Sequence, residues 1–138
     1  AECIDSCKYF ASFLTTAFTA QSKNQLIKTF YKPQTAKVSA IAAGTFLEKD
    51  YQALSGSGYV IESLESALWC FHKADSFREA VLLAANIGND ADTTAAICGQ
   101  IAGAYYGYDE IAIEWREKLH EEKMIRNLAK DLVNSFVN

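Results

Sequence analysis

Hydrophobic positions recur at helical spacing along nearly the whole chain. Ile4, Cys7, Phe10, Ala11, Leu14 and Phe18 fall on one stripe of a first helix. Ser22 followed by Gln25 has the form of a capping box opening a short helix, "NQLIKTFY", that stops at Pro33. Val38, Ile41, Ala42 and Thr45 form a further stripe, and "LSGSGY" then reads as a glycine-rich loop. From Tyr59 a strongly amphipathic run places Ile61, Leu64, Leu68, Phe71 and His72 together. Ser76 with Glu79 is a second capping box, opening a helix through Ala80, Val81, Leu83, Ala84 and Ile87, with Gly88 where a C-terminal cap is expected. Asp92 or a neighbour opens the next helix, which runs to Gly107. From about Ile111, one short and one longer helix carry Trp115, Leu119, Ile125, Leu128, Leu132 and Phe136.

No alternating strand pattern and no internal repeat interrupts this reading. The expected fold is all-α, a compact multi-helix orthogonal bundle forming a single domain over residues 1–138. Gly99 and Gly103 stand four apart among Ala95, Ala96, Ala102 and Ala104. Glycine inside a helix costs about 1 kcal/mol relative to alanine, so this helix is expected to be central and closely approached. "WCFHKADSF" reads as core, and "EKLHEEKMIRNLAKD" as a solvated face laced with i,i+4 pairs.

Hydrophobic residues make up 50% of the chain, which argues against disorder. The net charge is -4 with Lys and Arg scattered, so no basic stripe points to nucleic acid or an anionic membrane surface. The apolar runs are broken by polar residues, so no transmembrane span is expected. The N-terminus "AECIDSCKYF" lacks the basic-then-apolar pattern of a secretory signal, and no initiator Met is present. Cys3, Cys7, Cys70 and Cys98 form no CxxC pair and no histidine stands at zinc-ligand spacing. They are expected to be reduced, mostly buried thiols of a cytoplasmic protein, with Cys3 and Cys7 on one helix face.

The chemistry concentrates in "GNDADTTA", residues 88–95. Asp90 and Asp92 would repel each other if left bare between two apolar segments. A helix N-terminus offsets a nearby acid by up to ~1 kcal/mol. A hard divalent cation offsets far more, and carboxylates with a threonine hydroxyl supply the oxygen ligands Mg²⁺ and Mn²⁺ prefer. The cluster therefore reads as half of a divalent-metal site. Two other readings stand beside it. One acid can simply cap the helix. Alternatively, Asp90, Asp92 and Thr94 match the D-x-D-x-T of haloacid-dehalogenase-like phosphatases, although that nucleophile ends a strand and "FREAVLLAANIG" is helical.

"GSGYVIESLESALWCF" and "DSFREAVLLAANIGNDADTTAAICGQIAGAYYG" together resemble the C-terminal half of the ADP-ribosylglycohydrolase family, in particular bacterial members similar to the dinitrogenase-reductase-activating glycohydrolase. The resemblance is dense from about residue 56 to 118 and weaker over "ECIDSCKYFASFL" and "IAAGTF". It implies that Asp90, Asp92 and Thr93 are ligands of a Mg²⁺ (or Mn²⁺) centre that is binuclear in the complete family site. It also implies that Tyr59 contacts ADP-ribose, with Gly56, Ser57 and Gly58 shaping the loop. Without the family, Tyr59 reads as an aromatic packing on the core.

The implied activity is hydrolysis of the glycosidic bond between ADP-ribose and an acceptor, on ADP-ribose or an ADP-ribosylated protein. The family's first half carries a "TDD"-type acidic cluster, a catalytic Glu and an "HG" motif, and none of these strings occurs here. His72 and His120 do not take the missing histidine's place. No residue of this chain is assigned as catalytic. The chain is therefore expected to be weakly metal-binding and inactive alone, and to form a homodimer or a complex with a separate N-terminal half. The alternatives are a non-catalytic ADP-ribose- or metal-binding helical module, and a plain helical interaction protein.

Overall fold

The computed structural model describes residues 1–136, and over these the chain is helical with no strand. Eight α-helices follow one another: α1 Glu2–Ala17, α2 Lys23–Leu26, α3 Ala36–Ala42, α4 Val60–Lys73, α5 Phe77–Ala85, α6 Ala91–Tyr106, α7 Ile113–Arg116 and α8 Glu122–Ser135. Short 3-10 turns occur at Thr45–Glu48, Tyr51–Ala53 and Tyr108–Glu110.

Helix α4 is the spine. Ile61, Leu64, Ala67, Leu68, Trp69, Cys70 and Phe71 are all buried, and the helix packs against α1, α5 and α6. Small polar residues share that buried side, because Ser63 and Ser66 spend their hydroxyls on loop carbonyls. Helix α6 lies against α5, α4 and α1, the central position expected from its small residues. The approach there is through side chains: an added Cβ would stand 3.7 Å from Val81 Cγ2 at Gly99 and 3.8 Å from Phe77 Cε2 at Gly103. Tyr9, Phe13, Phe71, Tyr105 and Tyr106 form an edge-to-face chain through the core.

The Ser76 cap forms as expected. Its Oγ accepts from the Glu79 N–H at 3.1 Å, while the Glu79 carboxylate takes the N–H of Asp75 at 2.8 Å. The Ser22 cap does not form. Gln25 Oε1 accepts instead from the Gln21 N–H at 2.7 Å, and α2 ends at Leu26 rather than reaching Pro33. The chain beyond is drawn toward Asp5.

Helix α1 departs most from its pattern. Its core side consists of Asp5, Ser6, Tyr9, Ser12, Phe13 and Ala17. The regular stripe expected to be core lies elsewhere: Ile4 is 64% and Phe18 68% exposed, Cys7 and Ala11 are exposed, and Phe10 and Leu14 are half-buried. A carboxylate can face inward here because the 31–35 segment satisfies it. Asp5 accepts from Tyr31 OH at 2.8 Å, the Gln34 N–H at 3.0 Å, and the Thr35 N–H and hydroxyl at 2.7 and 2.6 Å. Burial opposes its charge. The bonds from Thr35, Gln34 and Tyr31 outweigh burial and hold the carboxyl down at about 2.

The thiols divide two and two. Cys70 and Cys98 are buried, whereas Cys3 and Cys7 are exposed on α1, which corrects the expectation that most would be buried. Helix α8 has a wide apolar stripe but no buried residue; Leu128 and Leu132 are 60% and 62% exposed. Tyr108 and Arg126 each bond Glu122, and the Arg126–Glu122 pair, at 3.1 Å, is an i,i+4 contact of the kind expected in this segment. Among the described residues, no helix is long and apolar enough to cross a membrane.

Candidate metal and nucleotide site

Two loops meet to build the site. The first, residues 55–59, leads into α4; the second, 86–90, joins α5 to α6. The second loop turns sharply because Gly88 and Asn89 both adopt left-handed conformations, at φ 88° and 56°. Glycine takes this at no steric cost, and asparagine is among the few other residues that tolerate it. The turn brings the Asp90 N–H to the Gly56 carbonyl at 2.7 Å. A Cβ on Gly56 would sit 2.2 Å from the Gly88 carbonyl oxygen, so only glycine permits this approach.

Asp90 is the N-cap residue of α6, with Asp92 and Thr93 in its first turn. The Thr93 hydroxyl donates to Asp90 Oδ1 at 2.9 Å. The other carboxylate oxygen, Oδ2, faces Gly58, where an added Cβ would stand 3.2 Å away. Asp90 is half-buried, whereas Asp92 and Thr93 are exposed. The premise that both acids lie enclosed in apolar surroundings therefore holds only in part, and the first turn opens to solvent. Thr94 is fully buried and its Oγ1 donates to the Asp90 carbonyl at 3.3 Å, closing the first turn. The phosphatase reading of Asp90, Asp92 and Thr94 fails here, because a helix, not a strand, precedes Asp90 and Thr94 faces the core.

The 55–59 loop is tied down from α4. Ser55 and Ser57 hydroxyls donate to Glu62 Oε2 at 2.7 and 2.5 Å, and these bonds lower the Glu62 pKa. Ser63 and Ser66 hydroxyls donate to the carbonyls of Ser57 and Ser55 at 2.6 and 2.8 Å. Tyr59 then projects at the start of α4, 38% exposed, so it does not pack in the core. Lys37 of α3 lies over its ring, 4.9 Å from the centroid, and donates to the phenol oxygen at 2.7 Å. The phenol in turn donates to Glu2 of α1, and this bond is the main cause of the lowered Glu2 pKa.

The loop thus carries Gly58 against Asp90 on one side and Tyr59 against Lys37 and Glu2 on the other. Of the predicted site residues, Gly58 and Thr93 meet Asp90 at this junction, Ser57 and Tyr59 stand on the first loop, and Asp92 is exposed in the first turn of α6. Sequence reasoning missed Glu62, Ser63, Ser66, Lys37 and Glu2. Ser63 and Ser66 left a trace, two small hydroxyls on the otherwise apolar face of α4, whereas Lys37 and Glu2 left none.

Asp90, Asp92 and Thr93 offer only hard oxygen donors, which suits Mg²⁺ or Mn²⁺ and not a soft ion. The bare Cα of Gly58 leaves room beside Asp90 Oδ2 that a side chain would fill. The set is partial: among the described residues no three His, Cys, Asp or Glu side chains converge as metal ligands.

A helical bundle with a D-x-D-T helix start facing a serine- and glycine-rich loop defines a class. The ADP-ribosylglycohydrolase family pattern matches residues 1–138, and the chain belongs to that family. It is 40% identical over 131 residues to the ADP-ribosylarginine hydrolase Tri1 of Serratia proteamaculans, covering 95% of this chain and 36% of that protein. It is 38% identical over 63 residues to the ADP-ribosyl-[dinitrogen reductase] glycohydrolase of Rhodospirillum rubrum, covering 46% of this chain and 21% of the relative. A solved ADP-ribosylglycohydrolase-related protein complex superimposes with a TM-score of 0.77 at 31% identity, covering 90% of this chain and 44% of that one. The chain therefore spans about a third of the length of the Serratia relative.

Proposed function

We propose that this chain contributes the metal- and nucleotide-facing part of a hydrolase that cleaves the glycosidic bond between ADP-ribose and an acceptor, on ADP-ribose or an ADP-ribosylated protein. The observation that carries the reading is the junction itself: Gly56 bonded to Asp90, Gly58 against its carboxylate, and Tyr59 exposed on the same loop. Asp90, Asp92 and Thr93 would hold Mg²⁺ or Mn²⁺. A bound divalent pair supplies positive charge that polarises a ribose hydroxyl and water. The residues of this chain position the reactants. Thr93 orients one oxygen of Asp90, the Gly58 backbone leaves space for ligand, and Tyr59 offers an aromatic face whose edge is fixed by Lys37 and Glu2.

A six-coordinate Mg²⁺ needs more than these three oxygen donors, and we assign no residue of this chain to general acid or base work. The chain therefore acts together with further polypeptide that supplies the remaining ligands and a proton-transferring carboxylate. Four unpaired thiols suit a reducing compartment, and we place the protein in the cytoplasm.

Calorimetry of the chain with Mg²⁺ and ADP-ribose tests the reading. The melting temperature is expected to rise with Mg²⁺, and further with ADP-ribose, in the wild type but not in Asp90→Asn. An equal rise in both proteins would refute metal binding at Asp90. Release of ADP-ribose from a modified protein by the purified chain alone would refute the need for further polypeptide.

A further inference from the structure

Helix α8 leaves a wide apolar surface open. Met124, Ile125, Leu128, Leu132, Val133 and Phe136 are 46–82% exposed, and no residue of the helix is buried. Contiguous apolar patches beyond a few hundred Å² mark interaction sites on soluble proteins. The helix has 14 residues, and isolated helices below about 12–15 residues are marginal in water. The stripe therefore calls for a partner surface. Two features at the root of α8 describe one. An apolar groove of about 300 Å³ opens there, lined by Val81, Gly99, Ile111, Trp115 and Leu119, with Glu122 of α8 at its edge. The chain around it is acidic. Residues 109–122 hold six acids against two bases, whereas residues 123–136 hold Lys123, Arg126 and Lys130 against Asp131 alone. These three bases share the side of α8 opposite the stripe.

We infer that α8 is a self-association surface, on which two copies of this chain pair their α8 helices antiparallel about a twofold axis near Leu128 and Ala129. The order follows from charge and shape. Antiparallel pairing lays the basic helix of each copy toward the acidic root of the other, whereas parallel pairing sets like against like. At 1.5 Å per residue α8 is about 21 Å long, so Leu132 and Val133 of one copy reach the root of the other, where the apolar groove opens. The six stripe side chains offer on the order of 500 Å² of apolar surface per copy, and the groove and charged margins add to it; a stable interface takes about 800 Å² per partner. The pair is therefore a reversible one, half-associated at roughly tens of micromolar. The net charge of -4 works against an anionic lipid surface as the alternative cover. The inference is independent of the metal and nucleotide reading, because no residue of that site takes part.

Sedimentation equilibrium of the purified chain from about 1 to about 200 µM should show monomer giving way to dimer, with a melting temperature that rises over the same range. Leu128→Glu, at a position 60% exposed, should weaken association roughly tenfold or more and make the melting temperature independent of concentration. Dilute wild type and variant should melt together, because α8 adds little to the monomer. Cross-linking in a Cys3→Ser, Cys7→Ser background reads the orientation. Ala129→Cys, beside the axis, should form an intermolecular disulfide; Met124→Cys, whose two copies stand about 13 Å apart along the helices, should not. A chain that stays monomeric throughout the range would overturn the proposal. So would a dimer that Leu128→Glu leaves intact, or equal cross-linking at both positions, the mark of a parallel pair. A monomer that binds phosphatidylserine vesicles through α8 would assign the stripe to lipid and likewise overturn it.

Discussion

Replacing Gly56 with alanine strikes the contact that joins the two loops of the site. The added Cβ would lie 2.2 Å from the Gly88 carbonyl oxygen, 3.3 Å from its carbon and 3.1 Å from Ile87 Cγ2. Two of these atoms are backbone, so no rotamer change relieves them; the loops must separate by about 1 Å. Separation lengthens the 2.7 Å bond from the Asp90 N–H to the Gly56 carbonyl. Losing that bond costs about 1 kcal/mol, and forcing a methyl into a packed site costs about 1–3 kcal/mol. Against this, alanine restricts the unfolded chain and returns about 0.4–1 kcal/mol. The net loss is about 1–3.5 kcal/mol, or roughly 3–12 °C in melting temperature for a domain of this size. Urea denaturation followed by circular dichroism measures it. Gly99→Ala is the control: its Cβ would stand 3.7 Å from Val81 Cγ2, and it should be neutral or stabilising by up to about 1 kcal/mol. A Gly56→Ala protein within about 0.5 kcal/mol of wild type would show that the close approach of the loops does not hold the site.

Other consequences follow from the same structure. Asp5→Asn replaces charge-assisted bonds to Tyr31, Gln34 and Thr35 and should cost about 1.5–3 kcal/mol near neutral pH. Because folding depresses the Asp5 carboxyl to about 2 from an unfolded value of about 3.9, its contribution is complete above that value and disappears as pH falls toward about 2. The wild type should therefore lose stability over that interval more steeply than Asp5→Asn; parallel curves in acid denaturation would contradict this. In native protein Cys3 and Cys7 should react quickly with a thiol reagent, while Cys70 and Cys98, whose thiols burial pushes up to about 12, should wait for unfolding. Four fast thiols would mean that the α4–α6 core is open. Truncation after His120, removing α8, in which no residue is buried and Leu128 and Leu132 are 60% and 62% exposed, should change the unfolding free energy by no more than about 1 kcal/mol; a larger loss would show that α8 packs on the bundle.

The helices that bury most were legible in the sequence, because their apolar spacing has one interpretation. Helix α4 follows its pattern from Ile61 to Phe71, and the Ser76 cap places the start of α5. Helix α1 was misread because its sequence carries two faces. The more regular stripe, Ile4–Cys7–Leu14–Phe18, belongs to the outside, and the true core face includes Asp5, Ser6 and Ser12. No local rule predicts an inward carboxylate whose donors come from residues 31–35. The D-x-D-T start of α6 and its half-of-a-metal-site reading came from residue types alone, and the family resemblance added the expectation of a binuclear centre. What lay out of reach was the support around Tyr59. Lys37 and Glu2 come from helices far away in sequence and meet only through the fold.

The central claim is that Asp90, Asp92 and Thr93 grip a divalent cation where their loop meets the Gly56–Tyr59 segment. Paramagnetic broadening of backbone amide signals by trace Mn²⁺ tests it most directly, since the effect registers weak binding and reports position. The account predicts broadening centred on residues 90–94 and 56–59, abolished by excess Mg²⁺ and absent in Asp90→Asn. Broadening spread over other acidic surfaces such as Asp109–Glu110 or Glu121–Glu122, and unchanged in that variant, would contradict it.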